Sequence, residues 1–441
     1  MDTPLRALGV DATTGRPLEP VPAAVARRRA ERLLRRARPP RYGVAGGDLA
    51  SAGWGVVFAE GVDADADARD ALGPLLERRR RQAGDRYREL TYRPGEGAAA
   101  FRSRLRAGHG RVDPRQVPWY LLLVGDPEEL PHGFELDLDV PHAVGRLAAD
   151  DADDLAAYAR RVIEAEDRPP HRAPRAAVFA PTHPDDPATA ACAEHLARPL
   201  ADIAGPDAGV LIGDGATRAA LLELIAGGPD LLVVAGHSAS YPRNHRCQRE
   251  RQGALICADW PGSERWPRAI PPAHTVAAED LPTGALDGGV AVLFGCHTAG
   301  TPRREFYDGH RRKDARALTS RPFVAALPRR LLGREGGALA VVGHVGRAFE
   351  ASFFWRGARQ SGPFEDAVRA LLDGRRLGEA LDGFGQRFAD VAVTWARSRM
   401  DPEAEEPDPL GLWVAFHDAR SWSLLGDPAV RLPACAELAE R

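Results

Sequence analysis

Two stretches of this chain end an apolar run on a glycine that is followed by a residue able to do chemistry. Residues 230–240 read DLLVVAGHSAS and place His237 just past the run, while 288–302 read GGVAVLFGCHTAGTP and place Cys296 at the same offset. A cysteine attacks as its thiolate, and a histidine within hydrogen-bond reach can take or share the thiol proton. A matched Cys and His therefore point to nucleophilic catalysis at an acyl group. In open parallel sheets, ligands bind beyond the carboxyl ends of the strands. If the two runs are neighbouring strands, Cys296 and His237 emerge side by side on one rim, and the long insert between them walls it. His297 follows the cysteine on an extended backbone and points the other way. His344, past a third apolar run, reads as a structural histidine.

The elements that must position this pair are legible as alternating apolar runs and helix-period segments. Runs at 54–59 (WGVVFA), 119–124 (WYLLLV), 176–180, 210–212, 231–235, 290–294 and 338–342 have strand length. Continuous apolar runs suit strands buried on both faces of a parallel sheet. Between them, Ala71, Leu72, Leu75 and Leu76 share one helical face, and Leu155, Tyr158, Ala159, Val162 and Ile163 share another. Helices are also predicted over 188–203 and 217–226. Leu377, Leu381, Phe384, Phe388, Val391 and Trp395 predict one more over 377–395. Repeated strand–helix units predict an α/β fold, a mostly parallel sheet flanked by helices. The polar, proline-containing stretch 167–174 separates an N-terminal α/β subdomain, 43–170, from a catalytic subdomain, 171–441. Ahead of both lies an extension, 1–42, in which 23–38 (AAVARRRAERLLRRAR) reads as a short basic helix with a solvated face.

Composition narrows the classes. With 44% hydrophobic and 27% charged residues over 441 positions, the chain is globular rather than disordered or fibrous. Its 59 cationic and 62 acidic residues give a net charge of −3, so no basic field points to nucleic acid. The five cysteines have no C-x-x-C spacing, which argues against a disulfide framework or a four-cysteine zinc site. Cys192, Cys247, Cys257 and Cys435 read as small apolar fillers. No apolar run reaches the roughly 18 residues of a membrane span, and no leader precedes the first elements, so a cytoplasmic location is expected.

The order strand-Gly-His, insert, strand-Cys, helix, strand resembles the caspase–gingipain clan of cysteine peptidases, in its gingipain-like form. YLLLVG at 120–125 followed by Asp126, and AVGRL at 143–147, resemble the end of the clan's degenerate, pseudo-catalytic first subdomain. FVAALPRRLL at 323–332, GALAVVGH at 337–344 and LLGDPAVRL ending at Leu432 resemble its later elements. The likeness spans about 43–433, and the opening DATTGRPLEP and RYGV also resemble actinobacterial relatives. It implies a cysteine endopeptidase with Cys296 as nucleophile and His237 as acid/base. The backbone N–H groups of Ser238 and Cys296 would form the oxyanion hole. The clan usually has His-Gly where this chain has His237-Ser238, which keeps a backbone donor but adds a Cβ that would hinder a positive φ.

The resemblance further suggests Asp259, Trp260 and Phe349 at the substrate, the carboxylate pairing a basic side chain and the rings stacking on it. It implies a protein or peptide substrate, processed in a defence or cell-death setting and encoded by a neighbouring gene. Neither a cofactor nor a metal is required, although some relatives use calcium; no ligand set for it stands out here. Two further readings stay open. A caspase-like domain with an impaired site would be a binding or scaffold module. Gly236-His237-Ser238-Ala239-Ser240 also imitates the G-x-S-x-G elbow of a serine esterase built on Ser238.

Overall fold

The computed structural model describes residues 8–18, 46–61, 64–108, 112–169, 172–306, 316–333, 335–400 and 406–432. The basic segment 23–38 lies outside the described residues. Two short strands come first, β1 (Gly9–Asp11) and β2 (Arg16–Pro17). They are followed by β3 (Trp54–Ala59), β4 (Tyr87–Tyr92), β5 (Tyr120–Val124) and β6 (Ala143–Leu147). The next group is β7 (Ala176–Ala180), β8 (Gly209–Ile212), β9 (Leu231–Ala235) and β10 (Ser238–Ser240). The last are β11 (Leu255–Ile256), β12 (Thr275–Val276), β13 (Val290–Phe294), β14 (Ala340–His344) and β15 (Trp422–Gly426).

Ten of these form one sheet in the order β4-β3-β5-β6-β15-β14-β13-β9-β7-β8. Every neighbouring pair is parallel except β14 with β15. The apolar runs β3, β5, β9, β13 and β14 are buried along their whole length, as sheet strands covered on both faces must be. The stretches on either side of residue 170 share this sheet and one main apolar core. The C-terminal β15 lies between them, meeting β6 at Leu425 and Arg146.

Helices cover the sheet where periodicity placed them, at Ala64–Ala83, Ala152–Asp167 and Arg218–Ala226. The stretch 187–204 is helical with one π-helical turn at Ala193–Ala197. The helix expected over 377–395 is broken at Leu381 into Leu377–Ala380 and Asp382–Met400. Its apolar stripe survives the break, with Leu377, Phe384, Val391 and Trp395 all buried. Gly383 and Gly385 beside the break weaken helix propagation there.

A second, five-stranded sheet, β12-β11-β10-β1-β2, stands over the carboxyl ends of β9 and β13. It is built from the 239–287 insert together with residues 9–17, the latter expected only as part of an extension. No helix among the described residues is long and apolar enough to cross a membrane.

Candidate active site

The site begins with register. β9 and β13 pair in parallel from Leu231↔Val290 to Ala235↔Phe294. Two residues further along each strand stand His237 and Cys296, at one level of the rim. The Gly236 N–H still donates to the Phe294 carbonyl at 3.0 Å. Gly295 is confined, since a Cβ there would lie 2.9 Å from the Gly236 carbonyl. The close pass of the two parallel strands thus accounts for Gly295, whereas a Cβ on Gly236 would meet the Pro181 ring at 3.3 Å, past the end of β7.

The His237 ring is held from the third strand end. Past β7 the chain reads THPDDP, and Asp186 there caps the helix Pro187–Cys192 by accepting the Ala188 and Thr189 N–H groups. Its other oxygen, Oδ2, lies 2.5 Å from His237 Nε2. Burial works to raise the Asp186 carboxyl, but the His237 ring, the Thr189 N–H and His183 together hold the group well below the usual carboxylate range. The opposite ring nitrogen, His237 Nδ1, is buried with no hydrogen-bond partner. An orphaned buried polar atom costs about 1–3 kcal/mol, so it calls for an explanation. His183 stacks nearly parallel to His237 with centroids 6.1 Å apart, and its Nδ1 lies 2.9 Å from the Trp260 carbonyl. Burial, followed by the neighbouring His237, pushes His183 down to about 4.

Cys296 is fully buried. Its Sγ accepts the Ala348 N–H at 3.4 Å and lies 3.7 Å from the Ala348 carbonyl. No hydrogen bond from Sγ to His237 is among those described. Burial pushes the thiol up to about 12, against the pull of the Ala348 N–H and the Arg347 charge. The Cys296 N–H donates to the Leu8 carbonyl at 2.9 Å, and the Ser238 hydroxyl donates to the Cys296 carbonyl.

Ser238 itself opens β10, and its φ is not among the positive ones. The Cβ that separates this chain from a His-Gly pattern is therefore accommodated on ordinary extended backbone. The same placement gives Ser238 no strand–turn–helix elbow, and its hydroxyl is already committed.

The expected site residues are brought together in part. His237, Ser238 and Cys296 share the rim, and Phe349 packs in one buried cluster with Cys296. Trp260 is buried beside Val10, Ile256 and Ile270, one ring away from His237 through His183. Asp259 is exposed and accepts the Arg218 N–H at the start of the helix Arg218–Ala226, so it caps a helix rather than facing the rim. His344 lies with Nε2 3.1 Å from the Asp418 carbonyl, buried in the molecule. His297 has φ 63 instead of extended backbone, and its Nδ1 meets the Thr301 hydroxyl at 3.2 Å.

Asp186 escaped the sequence reading. Its signal was a Pro- and Asp-rich segment at a third strand end. Among the described residues no group of three His, Cys, Asp or Glu could hold a metal ion.

No protein-family model matches this sequence, and no curated protein matches it either. Three solved structures are similar over most of the chain. One is a protease, with TM-score 0.49, 12% identity, 88% of this chain and 80% of that one covered. The second is the Arg-specific cysteine proteinase gingipain R, with TM-score 0.48, 12% identity and coverage of 89% and 80%. The third is the complex of the pro- and mature domains of RgpB from Porphyromonas gingivalis, with TM-score 0.48, 14% identity and coverage of 86% and 80%.

Proposed function

We propose that this chain is a cysteine endopeptidase in which Cys296 is the nucleophile, His237 the acid/base and Asp186 the group that orients His237. The observation that carries this reading is the His237 ring. A partly buried carboxylate holds it by Nε2, and Nδ1 is left unpaired at the strand end next to that of Cys296. A base fixed by a third group is the arrangement that activates a nucleophile.

In the reaction, Sγ gives its proton to His237 and bonds to the scissile carbonyl carbon. The carbonyl oxygen, now negative, is held by the N–H groups of Cys296 and Ser238. The C–N bond then breaks, and His237 returns the proton to the leaving amine. Water hydrolyses the thioester, giving the acid and restoring the thiol. Limited processing of a partner protein, encoded nearby in a defence or cell-death setting, is the use we assign to it. Its test is cleavage of such a neighbour by wild type and not by Cys296→Ala.

Because Cys296 is sealed in the folded chain, the activity itself is tested by digesting a peptide library with a folded variant that exposes Cys296 and with the same variant carrying Cys296→Ala. Products that appear only where Cys296 is present are expected; identical products from both proteins would remove the proposal.

One observation favours a second reading, a catalytically silent binding module: Cys296 is sealed in and its thiol is pushed up by burial. Iodoacetamide, applied to a folded variant in which Cys296 is exposed, separates the two readings. A poised thiolate reacts well below the free-thiol pKa of about 8.5, an inert thiol does not.

A further inference from the structure

The rim beyond β9 and β13 is filled by the chain's own residues. Leu8 is fully buried; its N–H donates to the Ala348 carbonyl at 2.9 Å, and its carbonyl accepts the Cys296 N–H at 2.9 Å. β1 runs parallel to β10 in the register Gly9↔Ser238, Val10↔Ala239, Asp11↔Ser240, with the Ala12 N–H going to the Ser240 carbonyl. Ladder hydrogen bonds in a parallel pair come from alternate residues of a strand. That alternation directs the Ser238 N–H at the Leu8 carbonyl. The two amides assigned to an oxyanion therefore converge on one peptide carbonyl. Gly9 comes next in the chain, and a Cβ on Gly9 would lie 2.7 Å from Cys296 Sγ and 2.8 Å from Leu18 Cδ1. Only glycine fits there without displacing the thiol or its cover.

Residues on the C-terminal side of Gly9 anchor it. Val10 is buried with Ile256, Trp260 and Ile270, and Ala12 with Ala239, Ala254 and Ala277. Asp11 accepts the Thr13 N–H at 2.8 Å, closing a turn that contains Gly15 at φ 68, where a Cβ would lie 2.2 Å from the Arg268 carbonyl and 2.6 Å from the Trp266 carbonyl. Leu18 returns to donate its N–H to the Gly9 carbonyl at 2.9 Å and packs against the Cys296 cluster.

We propose that Leu8–Gly9 occupies the substrate cleft as a built-in peptide, its Leu8 carbonyl standing where a scissile carbonyl would. The cleft then accepts peptides with leucine before and glycine after the reacting bond, and is closed to them until β1 is displaced. The leucine assignment rests on the endopeptidase reading; the cover does not. Leu8 is buried within the main apolar core, and Asp259, the carboxylate considered for a basic side chain, is turned to a helix end elsewhere. The same packing makes the segment a cover rather than a substrate that is used up. If Sγ displaced the Gly9 nitrogen, β1 would hold that amine beside the thioester, with Cys296 and His237 shut from water. Re-formation of the peptide bond would then outpace hydrolysis.

The test uses the full chain, wild type and two variants. Gly9→Val drives a side chain into Sγ, and Leu8→Asp puts a charge where Leu8 is buried. Circular dichroism and the thermal midpoint report that each is folded. Iodoacetamide labelling is followed by mass spectrometry at Cys296, with the half-exposed Cys247 as the internal reference. In wild type, Cys247 should label while Cys296 is protected. In both variants Cys296 labelling should rise at least about tenfold, as expected when a covering segment opens locally. Hydrolysis of a fluorogenic Leu-Gly peptide should appear with it and vanish in the Cys296→Ala background. Wild-type Cys296 labelling as fast as Cys247, or folded variants that leave it protected, would overturn the cover. Faster labelling without any hydrolysis would support the cover and sink the endopeptidase reading. Hydrolysis that prefers another residue before the bond would overturn the leucine assignment alone.

Discussion

At the scale of single residues, the chemistry assigned to this protein depends on how one imidazole is held. Asp186 holds His237 at Nε2, which leaves Nδ1 as the nitrogen for the proposed proton transfer. Acid–base catalysis by a positioned side chain contributes about 10²–10⁴-fold, so His237→Ala should lower kcat/KM by that much. Asp186→Asn keeps the shape but offers an uncharged partner. It should cost about 10²-fold or more in kcat, with KM little changed, when measured on the Leu-Gly peptide in a β1-displaced background. A rise in KM alone would show that Asp186 only supports the cleft wall. In Ser238→Ala the backbone donor remains, so a measurable peptidase rate should persist, whereas a serine esterase would lose all activity.

At the scale of elements, the site exists because strands arrive in register. β9 and β13 deliver His237 and Cys296, β7 delivers the loop with Asp186, and β14 leads to Ala348, whose backbone meets both Sγ and Leu8. One close approach between the two stretches of chain is between β6 and the end of β15 with the residues that follow it. A Cβ on Gly145 would lie 2.1 Å from the Gly426 carbonyl and 2.8 Å from Pro428. Gly145→Ala must therefore part the strands, at a cost of about 1–3 kcal/mol, readable in urea or thermal unfolding. An unchanged midpoint would mean that the sheet is looser at this seam than its contacts indicate.

At the scale of the whole molecule, buried ion pairs tie distant segments together. Arg79 Nε meets Asp427 Oδ2 at 2.7 Å with both side chains fully buried, and the Trp54 Nε1–H donates to Asp427 Oδ1 at 2.9 Å. Asp427→Ala leaves Arg79 with Glu166, 2.7 Å away, as its remaining carboxylate but orphans the Arg79 Nε and Trp54 Nε1 donors, so it should destabilise by about 1–3 kcal/mol in equilibrium unfolding. Glu135, buried with Arg146 and accepting the Ser423 hydroxyl, is held down at about 2 despite the burial that works to raise it. Burial also pushes His183 down to about 4.

Both groups bind protons more readily when the chain is unfolded, so stability rises with pH across their windows. The His183 contribution is complete above about 6.5 and is lost as pH falls towards 4. The Glu135 contribution is complete above about 4.5 and is lost as pH falls towards 2. Denaturant midpoints should therefore decline in two stages on acidification. His183→Gln should remove the upper stage and leave the lower.

Amino-acid order alone dictates the strands whose apolar runs exceed their surroundings, the helices with a clear stripe, and the offset that singles out His237 and Cys296. Burial on both faces demands such runs, and the close pass of β9 and β13 demands Gly295. Three things arise only once the chain is folded: that Asp186 reaches His237, that Asp259 reaches the start of the helix Arg218–Ala226, and that residues 8–18 lie across the rim instead of ahead of the fold. β1 is only three residues long, and nothing in Gly9-Val10-Asp11 marks its partner. Its place is fixed by the free edge of β10, a gap that only glycine fits and an apolar recess for Val10. Apart from Leu18, which helps to close the gap at Gly9, all three are made by residues more than two hundred positions away.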